Sequence, residues 1–376
     1  MRLVADSGLW RIGPAVAAVP LVAVLEVDGA VLAWTVDESV DASGAQITLT
    51  DAARADWLWR VLGEDGHQAL AAATAVAPDH EAAVDLSGIE LRPGAVDGLR
   101  RLAVGHWLRR WWPASVRDGI LGLDPALLDA EIALLTSDAE DFVGEDSLDA
   151  DIGALLAPHA GALAMHLLVG DPRVVELVRK SVRLAEDIGV DAPGWADLSD
   201  AVDNLQLQPA AVHQDDYALA AGRDTGPAPP GLIARGAASI AWSGVPGGVF
   251  DAAEDTVGWA VAADGDAATA TLHTAVIGPG SPAGVPVALR CGDITGVGVL
   301  DASGRATIPL LDRSNAALTA AGGWDQDWSA TAVTVGAEVA ETADARERVR
   351  RFARRRLALP GPDAFLAETL AAESDY

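Results

Sequence analysis

The sequence predicts a multidomain α+β protein, in which a mainly helical N-terminal domain with a small β-sheet precedes an antiparallel β-sandwich and a C-terminal helical tail. Three observations predict this class. The 376 residues exceed the roughly 250–300 at which one hydrophobic core stops growing. The hydrophobic pattern changes from helical spacing to alternation after Gly231. Beyond residue 341 the helical spacing returns. We expect domains at 1–206, 232–340 and 341–376, with a linker at 207–231.

The first 50 residues are typical of strands. Asp28-Gly29 joins two apolar runs, and this pair favours a two-residue hairpin turn. The predicted strands are 19–27, 30–36 and 46–50. Thr50-Asp51 is a candidate N-cap for a helix that ends near Gly63.

Helical spacing dominates from residue 64 to 206. The clearest helix follows Asp171, a capping residue, and opens with Pro172. The segment 153–170 has no formal charge, but Pro158 interrupts it and acids flank it, so we predict a buried core helix and no membrane span. A short strand is expected at 89–92. The predicted helices are 64–77, 95–112, 125–136, 148–169, 172–188 and 193–205.

The Pro-, Gly- and Asp-rich stretch at 207–231 is typical of a linker. After it, β-branched runs alternate with Gly, Pro and Asp clusters, as in an antiparallel sandwich. Within residues 268–276, Thr271 and His273 are expected on one face and Leu272 on the other. The predicted strands are 238–242, 256–262, 268–277, 285–290, 296–300, 307–311 and 329–335.

Residues 299–308 place Asp301 three positions before Gly304 between two apolar runs. This pattern resembles the Asp-x-x-Gly hairpin of immunoglobulin-like and transthyretin-like modules. The resemblance covers about ten residues and implies only the type of sandwich.

The formal net charge of −29 repels nucleic acid and anionic lipid, so both are unfavourable partners. Cys291 is the only cysteine, which excludes an intrachain disulfide and fits a reducing, cytoplasmic location. The N-terminus does not match a signal peptide, because Pro14 and Pro20 break its apolar run. Lys180 is the only lysine among basic residues that are almost all Arg; together with the Ala, Gly, Pro and Asp richness, this indicates a G+C-rich bacterial genome.

The tail carries the first set of candidate binding residues. Seven arginines lie within eleven residues, and residues 345–357 have a formal charge of +6. On a helix, Val349, Phe352, Ala353 and Leu357 form an apolar stripe between rows of arginine. The stripe would dock on the chain's own core, with the arginines on its acidic surface, or on an acidic or phosphate-bearing partner. If the ion pairs are exposed, the apolar stripe contributes most of the free energy that keeps the helix docked. The candidates are Arg346, Arg350, Arg351, Phe352, Arg354 and Arg355.

A second set combines arginine and tryptophan on the helix predicted at 95–112. Trp107, Arg109, Arg110 and Trp111 could hold a ligand between guanidinium planes and indole faces. Alternatively the tryptophans, Trp111 included, form a core cluster whose arginines extend to solvent.

No nucleophile-elbow, phosphate-loop or zinc-protease motif occurs, and no cofactor or metal site is predicted. His159 and His166 share a helix face but lie about 10 Å apart along it, too far for one metal. Cys291 is expected to be a buried thiol. We therefore expect a non-catalytic binding or adaptor subunit of a bacterial cytoplasmic protein assembly. The alternatives are an enzyme with dispersed active residues and, less favoured, a nucleic-acid-binding protein that uses the arginine-rich tail.

Overall fold

The computed structural model describes residues 1–38, 44–75, 83–143, 145–205 and 231–374. They form an α+β structure with three antiparallel sheets, as predicted. Two compact units are present. The first comprises Met1–Arg109, Leu123–Asp216 and Arg355–Tyr376, and the second Arg110–Gly122 and Tyr217–Arg354. The predicted linker lies outside the described residues except for Gly231, so the domain limits stay a prediction.

The strands are β1 Arg2–Asp6, β2 Leu9–Ile12, β3 Val22–Val27, β4 Ala30–Thr35, β5 Gln46–Leu49, β6 Ala83–Asp85, β7 Leu232–Ala238, β8 Val257–Asp264, β9 Ala267–Thr274, β10 Pro286–Cys291, β11 Ile294–Val299, β12 Arg305–Pro309 and β13 Ala332–Val335. The helices are α1 Leu58–Leu62, α2 Glu64–Thr74, α3 Asp97–Trp111, α4 Pro125–Asp138, α5 Glu145–Leu156, α6 Ala160–Val169, α7 Pro172–Asp187, α8 Trp195–Leu205, α9 Ala320–Asp325, α10 Ala343–Ala358 and α11 Leu366–Ser374.

The sheet of the first unit has the strand order β3-β4-β5-β2-β1-β6. The hairpin at Asp28-Gly29 is confirmed: Val27 pairs with Ala30, and Gly29 has a positive φ of 70°, which glycine adopts without strain. The strand predicted at 89–92 is wrong. A strand forms a few residues earlier instead, at β6, because Val84 and Asp85 pair with residues of β1.

The predicted N-cap at Thr50-Asp51 is also wrong, since the helix begins at Leu58. The Asp51 carboxylate accepts a hydrogen bond from the backbone N–H of Ala53, 3.0 Å away, and so closes a local turn instead. The single helix predicted at 148–169 is two helices, α5 and α6. A 3₁₀ turn at Ala157–His159 separates them, because Pro158 has no N–H to continue the helix.

Helix α3 packs closely against α4 and the segment before α11. At Gly105, a Cβ atom would lie 2.7 Å from Cζ of Phe365 and 2.8 Å from Cγ1 of Ile132. Glycine therefore lets Ile132 of α4 and Phe365, the residue before α11, pack directly on the α3 backbone.

The second unit contains two sheets, β11-β10-β13 and β12-β9-β8-β7. Side chains from both sheets, among them Val261, Leu272 and Leu289, share one hydrophobic core cluster. The expected alternation on β9 is confirmed, because Leu272 is buried while Thr271 and His273 are exposed.

Two predictions in this unit are wrong. The strand predicted at 238–242 ends at Ala238, and Trp242–Gly244 is a 3₁₀ turn. The turn at Asp301 and Gly304 is not a hairpin, because β11 pairs with β10 while β12 pairs with β9. Strand pairing depends on contacts between residues that are distant in sequence. The residues of the turn do not determine those contacts.

Candidate functional site

The apolar stripe of the arginine-rich helix α10 is buried, as its spacing predicts. Val349, Phe352 and Ala353 are in the core, and Leu357 is half-buried. The arginines beside this stripe do not all face solvent: Arg346, Arg350 and Arg356 are buried as well.

Within the second unit, Arg346 and Arg350 share one carboxylate. Nη2 of Arg346 lies 2.8 Å from Oε2 of Glu254, and Nη1 of Arg350 lies 2.9 Å from Oε1. Arg350 also donates to the carbonyl oxygen of Ala252, 3.0 Å away. Burial alone would raise the pKa of Glu254, but hydrogen bonds from Arg346, Ser239 and Arg350 lower it to about 2. This carboxylate is therefore ionised at neutral pH and forms an ion pair with each of the two arginines.

Within the first unit, Arg356 has a similar buried environment. Its guanidinium donates to the Glu368 carboxylate and lies 3.1 Å from Oδ2 of Asp363. Burial alone would lower the pKa of Arg356, but these two carboxylates raise it. The ion pair connects α10 to α11.

Three of the predicted binding residues on α10 face solvent: Arg351, Arg354 and Arg355. Arg354 lies 3.1 Å from Oδ2 of Asp118 and 3.6 Å from Oε1 of Glu347. Much of the arginine charge is therefore balanced by carboxylates of the chain itself.

On α3, the two tryptophans occupy different environments. Trp107 is buried, and its indole N–H donates to the carbonyl oxygen of Pro20 at 2.6 Å. In the second unit, Trp111 is half-buried and the Arg110 guanidinium lies 4.2 Å from its ring centroid. Arg110 also donates to the carbonyl oxygen of Val245, 2.8 Å away.

The remaining predicted residue of this set, Arg109, is exposed on the first unit and lies 2.9 Å from Oδ1 of Asp129. Arg109 and Trp107 thus have partners within the first unit, and Arg110 and Trp111 within the second.

A groove of about 480 Å³ lies in the first unit. Arg101 pairs with Glu131 on its wall, and burial raises the pKa of Glu131 in spite of Arg101 and the N–H of Leu366. Its lining residues are Arg101, Glu131, Leu134, Leu135, Asp138, Arg173, Glu176, Leu177, Lys180 and Leu366. Oppositely charged groups alternate around it, so it shows no net preference for one sign of charge.

Two histidine–aspartate pairs connect α6 and the 3₁₀ turn before it to α4 and its N-cap. Nε2 of His166 lies 2.8 Å from Oδ2 of Asp124, and Nε2 of His159 lies 2.8 Å from Oδ2 of Asp129. Asp124 is also the N-cap of α4. The hydrogen bond with Asp124 raises the pKa of His166.

The outward face of α6 is apolar and exposed, which corrects the prediction of a buried core helix. Leu163 and Leu167 are buried, whereas Met165, Leu168 and Val169 are 65%, 74% and 60% exposed. These three residues, spaced i, i+3 and i+4, lie on one face with Gly161 and Ala162, also exposed. We call these five residues the α6 face. The sequence could not assign it, because every residue of α6 except His166 is apolar.

By length and composition alone, the stretch Leu148–Val169 is long and apolar enough to cross a membrane, and a third of its most apolar 18 residues is buried. Among the described residues, no group of three or more His, Cys, Asp or Glu side chains is arranged to hold a metal ion. Comparison of the chain with protein-family models, with curated proteins and with solved structures finds no match.

Proposed function

We propose that this acidic protein is a non-catalytic binding or adaptor subunit of a bacterial cytoplasmic protein assembly, and that the α6 face docks on a protein partner. The observation that carries this proposal is the contiguity of the exposed apolar residues. Single exposed apolar side chains are ordinary, but a continuous patch is typical of an interaction surface.

The α6 face is held in place before any partner binds. Leu163 and Leu167 anchor the opposite side of the helix, and the His166–Asp124 pair fixes it to the N-terminus of α4. A preorganised surface loses little conformational entropy on binding, which favours affinity. Met165 is unbranched and adapts to the shape of a partner's apolar side chains.

The charge distribution supports a protein partner over nucleic acid. The buried arginines Arg346, Arg350 and Arg356 are paired with carboxylates and present no cation to a phosphate backbone. With a net charge of −29, the protein as a whole also repels polyanions.

We further infer that the second unit is the β-sandwich of immunoglobulin-like or transthyretin-like type that the sequence predicts. The core cluster shared by its two sheets supports this, because sandwich cores form from the inner faces of two sheets. On this basis the sandwich is a rigid module for presenting surfaces in the assembly.

Affinity purification from the native host, with quantitative mass spectrometry, tests the docking role. We expect Leu168→Asp to reduce recovery of at least one co-purifying protein about tenfold or more. The matched control is Leu359→Asp, since Leu359 is 80% exposed and lies outside the α6 face. Recovery of the same proteins by wild type and Leu168→Asp would refute the role of the α6 face.

Two further measurements distinguish a protein partner of the α6 face from a membrane and from a second copy of the chain. Flotation of the purified chain with phosphatidylglycerol vesicles would assign the α6 face to a membrane and overturn the proposal. A concentration-dependent dimer in sedimentation equilibrium, abolished by Leu168→Asp, would assign it to self-association and also overturn the proposal.

A further inference from the structure

One edge of the six-stranded sheet in the first unit is strand β3, Val22–Val27. The carbonyl oxygen of Leu21, just before β3, accepts a hydrogen bond from the N–H of Val36, just after β4, at 3.0 Å. Along a strand, the backbone groups of successive residues point to opposite sides. The odd-numbered residues of β3 therefore direct their N–H and C=O groups towards β4, and the even-numbered residues direct theirs away from the sheet.

The outward backbone groups of β3 belong to Val22, Val24 and Glu26. Among the described residues, none of these groups has a backbone hydrogen-bond partner, whereas the next outward N–H, that of Asp28, donates to the carbonyl oxygen of Phe142 at 2.9 Å. Val24 is 48% exposed, and Glu26 is exposed as well. An open row of N–H and C=O groups is a template for one more strand.

The other edge strands that the structure describes are shorter, irregular or partly paired. Strand β6, at the opposite edge of the same sheet, has three residues, and β13 has four. Strand β7 has a register shift between Leu232 and Ala234, β12 ends in Pro309, and Thr295 of β11 bridges to Leu311. By contrast, β3 pairs with β4 over six residues without a shift and contains no Pro, Lys or Arg. It therefore lacks the features that usually prevent an edge from pairing, apart from the single charge of Glu26.

We propose that β3 pairs antiparallel with β3 of a second copy of the chain, so that the sheets of two first units join edge to edge. A regular edge of six residues needs a partner edge of similar length, and among the described edges β3 itself meets this condition. Pairing of one edge with its own copy is a two-fold contact, which closes as a dimer and leaves no edge for further growth at β3. This inference does not rest on the docking role of the α6 face.

Hydrogen bonding and charge select the register of this pairing. A two-fold axis at Val24 places Val24 opposite its counterpart and Val22 opposite Glu26 of the second copy, so that all outward residues share about six backbone hydrogen bonds. The two Glu26 carboxylates then lie about 14 Å apart along the strands, beyond the screening length of about 8 Å at physiological salt. An axis at Glu26 would instead place these carboxylates directly opposite each other, which is destabilising.

Sedimentation equilibrium of the full chain over micromolar concentrations, at physiological salt, tests the proposal. We expect a monomer–dimer equilibrium for wild type. Val24→Pro should weaken dimerisation at least about tenfold, because proline removes the N–H donor at the two-fold axis. The same N–H points away from β4, so the pairing of β3 with β4 should survive this substitution. Val24→Thr is the matched control: it keeps the N–H and the β-branch and should dimerise within about threefold of wild type.

Val24→Glu provides a test that does not depend on proline, because it places two glutamates opposite each other across the axis; we expect dimerisation at least about tenfold weaker. Val4→Glu, at a 39% exposed position of the interior strand β1, makes the same charge change and should leave dimerisation unchanged. Thermal unfolding shows whether each variant remains folded. A wild type that stays monomeric, or a dimer that survives both Val24→Pro and Val24→Glu, would overturn the proposal. A dimer lost in Leu168→Asp instead would assign self-association to the α6 face and also overturn it.

Discussion

Arg350 Nη1 lies 2.9 Å from Oε1 of Glu254, and the arginine side chain is only 4% exposed. The same carboxylate receives the guanidinium of Arg346, so one acid in the second unit holds two arginines of α10. Loss of the Glu254 charge is costly because it leaves two buried guanidiniums with less compensation, even though Arg346 keeps Glu341 and Arg350 keeps Glu347. This relationship makes Glu254 a central stabilising residue of the second unit.

We expect Glu254→Gln to lower the free energy of unfolding by about 2–3 kcal/mol at pH 7. The pKa of Glu254 is about 2 in the folded protein, below its ordinary value of 4.5. A depressed pKa stabilises the fold fully above about pH 5, and this contribution is lost as the pH falls from 4.5 towards 2. The difference between wild type and variant should therefore shrink over that interval.

Urea unfolding at pH 7, 5, 4 and 3 measures this difference. Glu338→Gln, at an exposed position of the same unit, is the control and should have little effect at any pH. A gap between wild type and Glu254→Gln that stays constant down to pH 3 would contradict the assignment.

If the ion pairs of α10 were exposed, Phe352 would contribute more to stability than the arginines do. The structure buries Arg350, so that premise is wrong. We expect Phe352→Ala and Arg350→Ala each to cost about 3–5 kcal/mol, the first by a cavity and the second by loss of a buried guanidinium that contacts three carboxylates and the Ala252 carbonyl. Arg351→Ala, at an exposed position, should cost less than about 0.5 kcal/mol. Urea unfolding measures the loss in free energy of unfolding for each variant. Equal losses for Arg350→Ala and Arg351→Ala would disprove the stabilising role of Arg350.

Trp107, not Trp111, is expected to be the larger contributor to stability. Trp107→Ala removes a buried indole and its hydrogen bond to Pro20, which should cost about 3–5 kcal/mol. Trp111 is half-buried beside Arg110, so Trp111→Ala should cost about 1–2 kcal/mol. Chemical unfolding gives the free energy of unfolding of each variant. A larger loss for Trp111→Ala would favour a core cluster that includes Trp111.

The His166–Asp124 pair should stabilise the protein more at acidic than at alkaline pH. Because the pKa of His166 is raised in the folded state, its contribution is complete below the unfolded pKa of about 6.5. The contribution is lost as the pH rises through the folded pKa. We expect His166→Gln to cost about 1 kcal/mol at pH 6 and close to nothing at pH 9.

Urea unfolding across this pH range, with His67→Gln as control, measures the effect, and an NMR titration of His166 gives its pKa directly. A penalty for His166→Gln that grows with pH would have the wrong sign and would exclude the pair as its cause.

Cys291 is expected to react slowly with thiol reagents in the folded protein. It is 1% exposed, and its Sγ lies 3.1 Å from the carbonyl oxygen of Asp327. Burial removes the access that a reagent needs. Labelling with a chromogenic disulfide should be at least about 100-fold slower in buffer than in 8 M urea. Rapid labelling without denaturant would reveal an accessible thiol.

Local rules let the sequence determine several features without the structure. Asp28-Gly29 specifies a two-residue hairpin because its turn needs positive φ. Asp171 and Pro172 specify the start of α7. The Asp171 side chain accepts a hydrogen bond from a backbone N–H of the first turn, and the proline ring fixes φ at a helical value. The 3.6-residue period of Val349, Phe352 and Ala353 specifies the buried face of α10. In each case the interacting residues are close together in the chain.

The tertiary structure alone decided which surfaces meet. A helical pattern shows which side chains share one face of the helix. It does not show which other element of the fold that face contacts. It could not therefore show that Glu254 would bury Arg350, that β11 and β12 join different sheets, or that Trp107 rather than Trp111 is a core residue. The same limit applies to α6. Apart from His166 its residues are all apolar, so only packing against other elements distinguishes the buried Leu167 from the exposed Leu168.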